Sequence, residues 1–143
     1  MVDLEGIVAA RLLGDATLLA LICVGPDAEP AVYNDGFVPA EFPYSTKPLI
    51  IVGEPQHIGD EDTFDEAIRN EQVTIRFYHK PDGDYLPMKQ AAERARTLFK
   101  DWGSSVDGGQ VINATVSGPS YGPTTDPTLA GRVLRINFLI KET

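Results

Sequence analysis

Glu71-Gln72-Val73-Thr74-Ile75-Arg76-Phe77-Tyr78 is the stretch on which the fold turns. Val73, Ile75 and Phe77 alternate with Thr74, Arg76 and Tyr78. A period of two puts apolar side chains on one face and polar ones on the other, so the segment reads as a half-buried strand. Pro81-Asp82-Gly83 follows as a turn, and Asp84 is placed to cap a helix. Tyr85, Met88, Ala92, Ala95, Phe99 and Trp102 recur at steps of three and four, with Ala91 and Leu98 beside them. That spacing makes one buried helical stripe. Pro87 falls in the first turn, where its missing N–H does no harm. Lys89, Glu93, Arg96 and Lys100 form the solvated face, and Gly103 stops the helix.

Upstream, Leu49-Ile50-Ile51-Val52 is a short apolar run of β-branched character, a buried strand ended by Gly53. Between the two strands lies an acidic stretch, Gly53 to Asn70, with Glu54, Asp60, Glu61, Asp62, Asp65 and Glu66. It is too long for a tight hairpin and reads as a long loop. Ala31 to Tyr33 reads as a short strand, Asn34-Asp35-Gly36 as a turn, and Val38 to Pro48 as irregular. At the start, Asp3 precedes helically spaced Leu4, Ile7, Val8, Leu12 and Leu13, with Gly14 as a stop. Asp15 opens a second short helix that Gly25-Pro26 ends. Toward the end, Ile112, Ala114 and Val116 alternate with Asn113, Thr115 and Ser117 in a strand. Gly118 to Pro127 reads as a second long loop. Leu134, Ile136, Phe138 and Ile140 mark the final strand. Loops rather than crossover helices join most strands, so the expectation is an α+β domain with a mainly antiparallel sheet.

Length and composition bound the function. The 143 residues fit one domain, 1–143. No apolar run approaches the roughly 20 residues of a spanning helix, so no membrane partner is expected. Asp3 and Glu5 stand where a signal peptide would be basic. Cys23 is the single cysteine, which allows no internal disulfide and fits a reducing cytoplasm. The formal charge of −9 repels phosphate and argues against ordinary nucleic-acid binding.

The search for chemistry yields no catalytic, cofactor or metal residues. His57 lies near Asp60, Glu61 and Asp62, but a calcium loop counted from Asp60 places Phe64 at a ligand position and Asp65 at the glycine of the turn. Only Asp62 and Glu71 fall where that template wants them. His79 ends its strand beside Lys80 and reads as a surface residue. Cys23 sits in an apolar run and reads as a buried structural thiol. Ser104-Ser105 and Ser117 to Ser120 lie in loop-like contexts without a nucleophile elbow. Gly103 to Gly109 lacks the lysine and the flanking elements of a phosphate loop. Tyr85, Phe99 and Trp102 have the spacing of core packing rather than of a ligand stripe.

What remains is a domain suited to assembly. The opening helical region Leu4 to Cys23, Ala31-Val32-Tyr33 and Lys47-Pro48-Leu49-Ile50-Ile51-Val52-Gly53 form its first part. The segment Glu71 to Tyr78 with its alanine- and arginine-rich helix, then Val111 to Gly118 and the closing Arg132 to Ile140, complete it. This layout resembles the tail terminator, or tail-completion, family of long-tailed bacteriophages. The resemblance implies a sheet with helices packed on one face. It implies a structural virion protein in the tail, assembled in the host cytoplasm, and no enzyme. It further implies a homohexameric ring that caps the head-proximal end of the tail tube. Its partners would be the tail tube protein and the head–tail connector protein, and DNA would pass the lumen without specific binding. Glu54, His57, Asp60, Asp62 and Asp65 in the first long loop, and Tyr121, Thr124 and Asp126 in the second, are the candidate contact residues. Two other readings stay open: another connector or minor tail protein, and a small metal- or ligand-binding enzyme domain using the acidic stretch around His57.

Overall fold

In the computed structural model the described residues are 2–25, 28–34, 47–63, 66–79, 86–121 and 130–142. Asp35 and Gly36 of the expected turn after Asn34, the Pro81 to Gly83 turn, the Asp84 cap, Tyr85 and most of the Val38 to Pro48 stretch lie outside them, as do Asp65, Thr124 and Asp126.

Helix α1 spans Leu4–Leu13, and the Asp3 carboxylate accepts from the Gly6 N–H at 3.0 Å. Helix α2, Ala16–Leu19, repeats the device with Asp15 accepting from Leu18 N–H at 3.0 Å. Strands β1 (Val32–Asn34), β2 (Leu49–Val52), β3 (Gln56–Thr63) and β4 (Glu66–His79) come next. Helix α3 covers Leu86–Phe99, and β5 (Ser104–Val106), β6 (Gly109–Tyr121) and β7 (Ala130–Glu142) close the chain.

The strands form one mixed sheet of order β1-β2-β4-β7-β6-β5, with β3 joined to β4 beside β2. β1 runs parallel to β2. The pairs β2–β4, β3–β4, β4–β7, β5–β6 and β6–β7 are antiparallel. β4 and β7 pair from Ile68↔Lys141 to His79↔Ala130 and form the centre.

One core holds the layers together. Val73, Ile75 and Phe77 of β4 and Leu134, Ile136, Phe138 and Ile140 of β7 meet Leu4, Val8 and Leu12 of α1 and Leu18 of α2. Met88, Ala91, Ala92, Ala95 and Phe99 of α3 close over them. The alanine-rich stripe lets α3 lie close to β6 and β7. Phe99, Trp102 and Phe138 meet edge to face, with centroids 5.9, 6.1 and 6.4 Å apart. Trp102 stands past the helix end and is half-buried. Cys23, Ala31 and Leu49 make a smaller cluster with Tyr33, Ile51 and Tyr78. Burial pushes the Cys23 thiol up to about 11, so it is protonated and inert at neutral pH.

Several readings of the sequence are corrected. First, Gly53 to Asn70 is not a long loop. Gln56–Thr63 is β3, and β4 begins at Glu66, with Thr63 opposite Glu66. β2 and β3 run on one side of β4 as a single long hairpin arm, interrupted twice. Val52↔Ile75 is followed by Gln56↔Gln72, so three residues oppose two, and Ile58 is an extra residue between His57↔Glu71 and Gly59↔Asn70. The arm extends past the core, where neither face must be apolar, so it carries no alternation to read. Secondly, His79 is fully buried. It belongs to β4, two residues beyond Phe77, on the face that points inward. Thirdly, Ser104 and Ser105 form β5 and not a loop. Asp107-Gly108 turns the chain with Gly108 at φ 85°, and Val106 pairs Gly109. Fourthly, Ile112 does not share a face with Ala114. A bulge between Val111 and Asn113 turns Val111 inward and leaves Ile112 37% exposed. The second expected loop also starts later, since Gly118 to Tyr121 still belong to β6.

Candidate functional site

Two arginines tie the helices together. Arg94 of α3 donates to both oxygens of Asp15, at 2.8 and 2.9 Å, so the residue that caps α2 also fixes α3. The Arg94 hydrogen bonds hold the Asp15 carboxyl below its ordinary value of 3.8. Arg11 of α1 donates from Nε to the Leu98 carbonyl at 2.7 Å and lies 4.5 Å from the Trp102 ring centroid. Burial lowers the Arg11 pKa, with Asp15 working in the other direction.

The Asp15 shift fixes a pH dependence. A carboxyl whose folded value is depressed adds stability above its unfolded value and loses it as pH falls through the folded one. Arg94→Ala is therefore expected to be less stable than the parent at pH 6, with the gap narrowing below about pH 4. Urea midpoints of both proteins across that range measure it. A gap that stays constant down to about pH 2 would separate Arg94 from Asp15 ionisation.

The described candidate contact residues divide between the two ends of the sheet. Glu54 sits in the first interruption of the arm, exposed, and lines a groove with Gly53, Gln56, Thr74 and Arg76. His57 is exposed on β3, opposite Glu71. Asp60 and Asp62 follow on β3, at the positions opposite Arg69 and Ala67. Tyr121 ends β6, 78% exposed, with the Arg132 guanidinium 5.5 Å from its ring centroid. The structure thus gathers Glu54, His57, Asp60 and Asp62 on one arm and puts Tyr121 on another strand.

Sequence reasoning missed two surfaces. Val2, Asp3, Leu4, Glu5, Pro55, Arg69, Glu71 and Glu142 line an open groove of about 430 Å³, where α1 begins beside the base of the arm. Arg69 bonds Glu142 there at 3.2 Å. The other surface is the polar face of the sheet, with Gln72, Thr74 and Arg76 on β4 and Arg135 and Asn137 on β7. Gln72 Nε2 donates to Asn137 Oδ1 at 3.0 Å across the two strands. The alternation of Arg76 with Ile75 and Phe77 signals this second surface, whereas nothing local signals the first. Among the described residues no group of three or more His, Cys, Asp or Glu side chains is placed to hold a metal ion. No helix among them is long and apolar enough to cross a membrane.

The geometry is that of an α+β domain with a long paired arm and a polar sheet face. A chain of the solved structure described as "Virion of native gene transfer agent (GTA) particle" shares this fold. The likeness has a TM-score of 0.77 and covers 96% of this chain and 94% of that chain, at 17% sequence identity. No protein-family model and no curated protein matches the sequence.

Proposed function

We propose that this chain is a structural protein of a phage-type virion, and that it acts as a tail terminator. In this reading six copies close a ring on the head-proximal end of the tail tube. The ring stops tube growth and offers the head connector its docking surface, and DNA passes through an acidic lumen without sticking. The role is structural and involves no catalysis.

The observation that carries the reading is the fold shared with a virion chain over nearly the whole length of both. The arm supports it. A strand edge extending past the core can pair with a neighbour's backbone, and β3 presents such an edge among the described residues.

Electron microscopy of particles made without this chain tests the reading. The expected result is tails of irregular length, or tails not joined to heads. Normal joined particles would end it. In complete particles, density for the chain elsewhere in the neck or tail would move the assignment to another connector or a minor tail protein.

A further inference from the structure

The polar face of the sheet differs in charge from the rest of the molecule. The chain has 21 acidic and 12 basic residues, yet Arg76 and Arg135 stand together on this face. The register sets Arg135 opposite Thr74 on β4 and Ser117 on β6, and Arg76 opposite Ile51 on β2 and Val133 on β7. The two arginines are diagonal neighbours, roughly 7–8 Å apart along the sheet, close enough to repel. Glu54 shares a groove with Arg76. Around exposed Arg135 the adjoining positions on β4, β6 and β7 hold Thr74, Arg76, Ser117 and Asn137, and none is a carboxylate. Arg135 so placed offers a planar fork of donors to an incoming partner.

The complementary surface is on the same chain. Asp3, Glu5, Glu71 and Glu142 line the groove beside the arm, and a second groove of about 310 Å³ runs from Asp3 along Gly6, Ile7 and Ala10 to Asp107. Among the described residues Arg69 is the one cation lining either groove, and it is bonded to Glu142. Asp107 is exposed at the turn between β5 and β6.

Two unlike surfaces of opposite charge suit a head-to-tail contact. In such a contact one surface of each copy meets the other surface of the next, which is the arrangement a closed ring needs. Resting on the ring reading above, we infer that the acidic rim at Asp107 of one copy docks on the Arg76–Arg135 face of the next copy. Duplex DNA could also meet these arginines, but a chain of net charge −9 repels it.

Sedimentation of the purified full chain at rising concentration, in low and in high salt, tests the inference. Self-association is expected to weaken with salt. Arg135→Glu and Asp107→Lys should each weaken it at least about tenfold, and the two combined in one chain should restore it. Thermal melting checks that each variant folds. Arg135→Gln gives the same direction with a smaller effect should the reversal impair folding. A parent chain that stays monomeric at every concentration overturns the inference. So does association that ignores Arg135, or a double variant no better than the singles. Retardation of a DNA duplex that is lost in Arg135→Glu while self-association is unchanged also overturns it, and makes the face a nucleic-acid surface. These results are read on purified protein. If particles lacking the chain have disrupted tails but association ignores Arg135, only the interface fails; if tails are normal, the ring reading fails instead.

Discussion

Phe138→Ala is expected to lower the unfolding free energy by about 3–5 kcal/mol. Phe138 is fully buried on β7, between Glu71 of β4 and Ala114 of β6. Its ring touches Phe99 and Trp102 edge to face. The cost depends on how far the site can collapse, and here it is held open on two sides. Phe99 is anchored on α3 by the buried stripe, and Trp102 is packed under the Arg11 guanidinium. Ala91, Ala92, Ala95 and Ala114 are too short to fill the space. A domain of this size has about 5–15 kcal/mol of stability in all, so much of it would be lost. Trp102 is the single tryptophan, and its fluorescence during urea unfolding reports on the site directly. Phe138→Leu, which keeps most of the volume, should cost clearly less. A Phe138→Ala loss below about 1 kcal/mol would show that α3 settles into the gap.

Gly118→Val is expected to cost about 2–4 kcal/mol through the backbone. Pairing on β6 passes from Ser117↔Arg135 to Ser120↔Val133, so Gly118 and Pro119 share one partner position. Gly118 has φ +102°, a region that β-branched residues avoid. A Cβ there would lie 2.8 Å from the Val133 carbonyl oxygen and 3.1 Å from the Ser120 nitrogen, both main-chain atoms that cannot swing aside. Ser117→Val, one residue earlier on the exposed polar face, is the control and should change stability by no more than about 0.5 kcal/mol. Thermal melts of the two variants make the comparison. Equal melting temperatures would show that β6 can shed the bulge and re-register.

What the sequence revealed follows from where burial forces a pattern. Val73, Ile75 and Phe77, the Leu134 to Ile140 alternation and the Met88 to Phe99 stripe all face the core, and each element was legible. The Asp3 and Asp15 caps were legible because a side-chain acceptor before a helix has few other uses. The arm was not, because its pairing is a main-chain property that side chains need not advertise. His79 was misplaced because its strand outlasts the apolar alternation by one polar residue. Ile112 was misplaced because a bulge resets the period without changing the letters. Of the candidate contact residues in the first stretch, His57, Asp60 and Asp62 lie on β3 and Glu54 lies just before it. The Arg76–Arg135 pair escaped notice because its members are about 60 residues apart in sequence and meet only through β4–β7 pairing.

That pairing also governs how the molecule comes to exist. The β5–β6 turn and the β3–β4 arm close between residues near in sequence, and such contacts form on the microsecond scale. Ile75 must instead find Leu134, with α3 and two further strands lying between them in the chain. Loop-closure entropy has to be met before that contact returns anything, so the central ladder sets the pace of folding, in the range of milliseconds to seconds for sheets dominated by distant pairs. Until it closes, β4 offers a long open side to any other nascent copy. The interval between making the hairpins and joining them is when wrong pairing between copies competes with folding.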